Sequence, residues 1–200
     1  MEPLERLFDY EGNEVCLFPL EFMNVSNPEH QEYAIDFLGW GDFGRVFDCP
    51  LYAPFSGSIE YTGNDHNLIL WSTNKVRFID GTLDYATMLV AHSNSAPASV
   101  GTTYIQGQLF YHTGNYGVSS GDHVHMEVAR GHVLWDQSGL HLENPYHLYN
   151  MLAINNTVII ESGGYTWSEY TPTPPIVVSG KRKKFPWVIY ARRLREKRSF

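Results

Sequence analysis

The run "SGDHVHMEV", residues 120–128, sets apolar and polar side chains on alternate positions. Successive side chains of a strand point to opposite faces, so Val124, Met126 and Val128 share one face while His123, His125 and Glu127 share the other. The apolar face reads as core. The opposite face delivers two imidazoles and a carboxylate to one place, directly after the turn-prone "SSGD".

The same alphabet recurs along the chain. Tyr, Phe, Trp, Val, Ile and Thr occur in short runs broken by Gly, Pro, Asn and Ser, which is strand-and-turn composition. The runs at 14–25, 33–40, 49–63, 84–92, 108–122 and 123–131 each predict one or two strands or a strand with its loop. Residues 67–73 and 75–80 read as a hairpin through Thr73-Asn74, and 26–32 as a loop. Few stretches show helical periodicity, so the expected fold is mainly β, built of antiparallel sheets. With 43% hydrophobic residues in a 200-residue chain, a sizeable core is within reach.

Four segments follow from composition: a body over 1–152, an extension over 153–170, the Pro-rich linker "TPTPPIVVSG" over 171–180 and a basic tail over 181–200. The tail holds nine basic residues and one acid, a net +8. Five bases and 21 acids leave the remainder at −16. An acidic body joined to a basic tail suits docking to an anionic polymer or to a larger assembly, its own acidic body included. The tail also reads as a solvated charge run. Cys16 and Cys49 are too few for a disulfide framework, and a single bridge or two buried thiols are both open. The N-terminus has no apolar leader, and no apolar run approaches the ~20 residues of a transmembrane span. Any action outside a cytoplasm is therefore expected to rely on delivery other than by a leader of its own.

Nine histidines are present. Two of them two residues apart on a strand are too close to serve one zinc ion easily, so one ligand and one acid–base group is the natural use of "HVH". Further ligands must come from elsewhere. His30 and, after it, Asp36, flanked by Ile35 and Phe37 in a strand, are candidates, since a buried carboxylate is costly unless paired or metal-bound. His92 ends the apolar strand "MLVAH". His66, His132, His141 and His147 read as turn or surface residues.

In this order, His30…Asp36, "MLVAHS", "GQLFYHTGNYGVSSGDHVHME" and "ENPYHL" resemble the M23 (lysostaphin/LytM-type) zinc metallopeptidases, which cleave peptide bonds in bacterial peptidoglycan. The likeness spans roughly residues 15–150 and implies an antiparallel β fold of that peptidase type. It implies one zinc ion held by His30, Asp36 and His125, with His123 and His92 as the catalytic histidines. Glu127 is then expected to orient a histidine from behind. Tyr111, Asn115 and Tyr116, near glycines, are candidates to line a peptide groove; His112 is a substrate-binding candidate for which a structural role is the favoured reading. The first motif departs from the family's: five residues separate His30 from Asp36, where three are usual. The implied function is a peptidoglycan endopeptidase, a phage lysin or virion-associated hydrolase. The alternative is a catalytically silent binding or activator domain of the same fold, or a structural virion module anchored by its tail.

Overall fold

In the computed structural model of the chain, residues 4–136 and 141–172 are described. The basic tail and most of the Pro-rich linker lie outside the described residues.

Short β-branched and aromatic runs divided by Gly, Pro and Asn turns fold as short strands. They are β1 Phe22–His30, β2 Ala34–Phe37, β3 Trp40–Gly41, β4 Gly44–Arg45, β5 Pro50–Tyr52, β6 Gly57–Thr62, β7 Leu68–Ser72, β8 Val76–Arg77, β9 Leu83–Asp84, β10 Ala86–Ala91, β11 Thr103–Tyr104, β12 Leu109–His112, β13 Val124–Arg130, β14 Pro145–Tyr146 and β15 Val158–Glu161. One helical turn, α1, covers Leu148–Met151. The main sheet runs β11-β6-β7-β10-β13-β2-β1-β15, with β14 also on β13. Its pairs are antiparallel except β1–β15, which is parallel. Three small two-stranded sheets, β12–β5, β3–β4 and β8–β9, accompany it.

The alternation of β13 is resolved as the sequence predicts. Val124, Met126 and Val128 enter the main core with Met88 and Val90 from β10 and with Ile35 and Phe37 from β2. Burying each such side chain stabilises by about 1.5–3 kcal/mol relative to leaving it in water. β10 is buried on both faces, because Leu89 packs into a second cluster with Ile69, Ala129 and Leu142. The sheet is thus clamped at its centre, and the polar face of β13 rests on a rigid support.

Three expectations change. Residues 26–30 are strand, not loop: β1 continues to His30 and pairs β2 through two register shifts. The hairpin over 67–80 is absent. β7 pairs β6 and β10, the chain leaves the sheet after Ser72, and β8 pairs β9 instead. The extension after residue 152 is part of the body, since β15 adds to β1 and Trp167 inserts against Phe18 at a ring separation of 5.4 Å. Cys16 and Cys49 are both buried free thiols. Burial raises the pKa of each, so both are inert. Among the described residues no helix is long and apolar enough to cross a membrane.

Candidate metal centre

Sheet register creates the site. Asp36 on β2 lies directly opposite His125 on β13. Facing residues of adjacent antiparallel strands project their side chains to the same side, about 5 Å apart. His125 Nδ1 accordingly comes to 3.1 Å from Asp36 Oδ1. His30 ends β1, and a 3-10 turn over Gln31–Tyr33 folds β2 back on it. The turn sets Tyr33 in the left-handed region at φ 63°, and His30 Nε2 reaches 3.5 Å from the same Asp36 oxygen. The longer spacing between His30 and Asp36 is thus absorbed by a bulged strand pair and a tight turn.

His123 precedes β13 in a bridge with Gly114, and its Nε2 is 3.8 Å from Asp36 Oδ2. His92 follows β10 with φ 81°, a conformation that bulky residues seldom adopt and that clusters at functional sites. Gly114 makes this approach feasible: a Cβ there would lie 2.3 Å from the His92 carbonyl oxygen. The His92 and His123 rings stand 4.7 Å apart.

Hydrogen bonding fixes which nitrogen of each ring carries the proton, because a carbonyl oxygen only accepts. His30 Nδ1 donates to the Pro28 carbonyl at 3.0 Å, His92 Nδ1 to the Tyr116 carbonyl at 2.9 Å and His123 Nδ1 to the Gly121 carbonyl at 2.7 Å. In all three rings Nε2 is left with its lone pair. His125 is held the other way round. Its Nε2 donates to Glu127 Oε1 at 3.0 Å, which turns Nδ1 toward Asp36.

The donor set suits a cation. One atom each of His30, Asp36 and His125 lie within 4.8 Å of one another. Two imidazole lone pairs and a carboxylate oxygen facing one point repel unless a positive charge joins them. Without an ion that charge is a proton. Burial alone would lower the pKa of His125, but hydrogen bonds to Asp36 and Glu127 override it and push the value up to about 9. Burial raises Asp36, yet the His125 hydrogen bond and the charges of His125, His30 and His123 hold it below the usual carboxylate range. His92 is lowered, chiefly by burial. Burial thus favours its neutral imidazole.

Glu127 is fully buried, and its charge is met by three donors. Oε1 accepts from His125 Nε2 and, at 2.6 Å, from His141 Nδ1, while Oε2 accepts from the Leu142 N–H at 2.8 Å. His141, which reads as a turn residue in the sequence, is therefore part of the site's support and lines the cleft. No periodic signal marks it. A second trio of His125, Glu127 and His141 also has metal-ligand spacing, but Glu127 in it is fully buried and accepts from both rings and from the Leu142 N–H.

The cleft has two lobes that share Asp36, Ser120 and His123. One, about 380 Å³, is lined by the other histidines with Asn67 and Val118. The other, about 480 Å³, is also lined by Ser26, Asn27, Leu38, Arg45, Gly121 and Asp122. None of Tyr111, His112, Asn115 and Tyr116 lines either lobe. Tyr111 is core: its hydroxyl donates to the His66 carbonyl at 2.6 Å and accepts from the Ser93 N–H at 2.9 Å. His112 pairs with Pro50 in the β12–β5 ladder. Asn115 donates its N–H to Asn94 Oδ1, and Tyr116 stacks on His66 while its carbonyl anchors His92. The "FYHTGNYG" segment thus acts on the site through its backbone.

No family model matches the chain. Over 168 residues it is 28% identical to Morphogenesis protein 1 of Bacillus phage B103, covering 78% of this chain and 44% of the relative. The chain thus spans less than half the length of that curated protein. Similar solved structures include the lysostaphin catalytic domain from Staphylococcus simulans, at 18% identity and TM-score 0.38 over 64% of this chain and 85% of that one. The catalytic domain of the prophage-encoded M23 protein EnpA from Enterococcus faecalis matches at 15% identity and TM-score 0.44, over 65% and 93%. A zinc-containing peptidase from Vibrio cholerae matches at 16% identity and TM-score 0.42, over 62% and 40%.

Proposed function

We propose that the protein is a zinc-dependent endopeptidase acting on bacterial peptidoglycan. The observation that carries this reading is the convergence of His30 Nε2, Asp36 Oδ1 and His125 Nδ1, each imidazole held by a hydrogen bond on its far nitrogen. Two histidines and one carboxylate are a catalytic zinc set, three protein ligands with a fourth position left open. The ion, when bound, supplies Lewis acidity that polarises a carbonyl and makes water a better nucleophile near neutral pH.

The remaining groups belong to the chain. His123 and His92 are not needed as ligands and keep basic Nε2 atoms beside the centre. One takes the proton of the attacking water and returns it to the leaving amine. The other, once protonated, donates to the oxyanion that develops on the scissile carbonyl. The carbonyls of Gly121 and Tyr116 hold both rings in the required tautomer through Nδ1. Glu127 does the same for His125 from the opposite nitrogen.

The phage relative supports placing this chain in a phage, as a lysin or a wall hydrolase borne on the particle, with the basic tail as an anchor to an anionic polymer or to the assembly. The word morphogenesis in that relative's name also supports a second reading, a structural virion module in which hydrolysis is secondary. The test is elemental analysis of the purified protein together with release of new amines from purified cell walls. One zinc per chain, amine release abolished by a chelator and restored by zinc, is expected. A chain that binds no zinc, or that binds it and leaves walls intact, would overturn the enzyme reading.

A further inference from the structure

Resting on the peptidase reading, we infer that the Arg45 lobe of the cleft is a carboxylate-binding subsite, and that the substrate carries a free carboxylate beside the amide that is cut. The chain before residue 181 holds five basic side chains among 21 acids. Four have a carboxylate partner: Arg6 on Glu14 at 2.6 Å, Lys75 on Asp84 at 3.8 Å, Arg77 on Asp9 and Glu11 at 3.0 and 2.9 Å, and Arg130 on Asp80. Arg45 has none among the described residues, although the body around it is strongly acidic.

Its surroundings explain how it stays unpaired. Asp122 is adjacent, but its carboxylate is engaged elsewhere: Oδ1 accepts from the Thr113 hydroxyl at 2.7 Å and Oδ2 from the Asp48 N–H at 3.1 Å. Only the Asp122 main-chain carbonyl touches Arg45, at Nη2 and 2.9 Å. The guanidinium also lies over the Phe47 ring, 4.9 Å from its centroid. It is thus positioned by one hydrogen bond and one ring face, with most of its five N–H donors unused. The lobe it lines also contains Asp36 and His123, so an arm of a peptide cut at the centre passes it.

A planar fork of donors without an anion matches a carboxylate, which it binds through two parallel charge-assisted hydrogen bonds. A neutral glycyl bridge offers nothing to it. The favoured substrates are therefore stem peptides with an ionised side-chain or terminal carboxylate one or two residues from the scissile bond.

The experiment uses two cross-linked stem-peptide dimers that differ at one position: a diaminopimelate carboxylate next to the scissile amide is free in one and a carboxamide in the other. kcat/KM is measured on the zinc-loaded protein, and Kd by calorimetry on the His123→Ala protein. The free acid is expected to be preferred about 10- to 100-fold in both measurements. Arg45→Gln should erase the preference and Arg45→Lys retain part of it, because a point charge attracts without the bidentate fit. Equal handling of the two dimers by the parent protein, or a preference that survives Arg45→Gln, would overturn the subsite. If neither dimer is cut, the peptidase reading fails; the Kd comparison still decides for or against the subsite. Should Arg45→Gln not fold, the parent protein's response to the dimer pair and the Arg45→Lys variant carry the decision.

Discussion

Val124, Met126 and Val128 project from one side of β13 into the main core, each no more than 1% exposed. His125 and Glu127 project from the other side toward Asp36, His141 and the cleft. The two sets interleave in sequence, yet they answer to different constraints. The apolar face is held by packing and by the loss of water contact, which any well-shaped side chain can supply. The polar face is held by directed hydrogen bonds, each fixing which ring nitrogen is free. A substitution on the first should cost stability and leave the chemistry of the folded molecules intact. On the second, it should remove the chemistry even in molecules that remain folded.

The largest effect expected is at the ligands. His125→Ala and Asp36→Ala should each lose bound zinc and all measurable amine release from cell walls, while circular dichroism stays that of the parent. Zinc retention by either variant would break the proposed donor set. On the opposite face, Met126→Ala should lower unfolding free energy by about 2–5 kcal/mol, read from denaturant midpoints. Zinc content and turnover per folded molecule should be unchanged. If turnover falls in proportion to zinc instead, the two faces are not separable.

Between these lies His123→Ala, which should bind zinc normally and lose roughly 10²–10⁴ in kcat, the usual worth of a positioned acid–base group. Smaller again is Glu127→Gln. It keeps the shape but removes the charge that aligns His125 and His141, and should weaken zinc binding by about 10- to 100-fold in a chelator competition. A variant with unaltered zinc affinity would show that packing alone orients His125.

The mildest effect is on pH dependence. Because the ion-free pKa of His125 is pushed up to about 9, protons compete with zinc for Nδ1. Apparent zinc affinity should rise with pH through neutrality and level off near 9. The ion-free protein should show the opposite trend in stability. A histidine whose folded pKa exceeds its unfolded value of about 6.5 contributes fully below that value, and the contribution disappears as pH rises through about 9. A midpoint of thermal unfolding for the ion-free protein that climbs across this window would contradict the assignment.

Local pattern carried much of this. Period-two alternation identified β13 and which of its residues share the polar face, and a mid-strand carboxylate between Ile35 and Phe37 singled out Asp36. The mainly β class followed from turn-punctuated runs. Local pattern could not show that β1 runs to His30, because Pro28 and the polar "SNPEHQE" carry no alternation; pairing with β2 holds that stretch extended. It misplaced Tyr111 because an aromatic residue near a glycine-rich loop looks the same whether its hydroxyl meets substrate or the Ser93 and His66 backbone.

The amino-acid order alone determined which side chains could hold a metal and that two of them would share a strand face, since alternation is a property of the chain itself. Only the assembled sheet decided that Asp36 stands opposite His125, that Glu127 reaches both His125 and His141, and that Arg45 has no acid beside it among the described residues. Those are facts of register and of contacts between residues up to 89 positions apart. They arise when strands choose partners, a choice made by burial of the whole core.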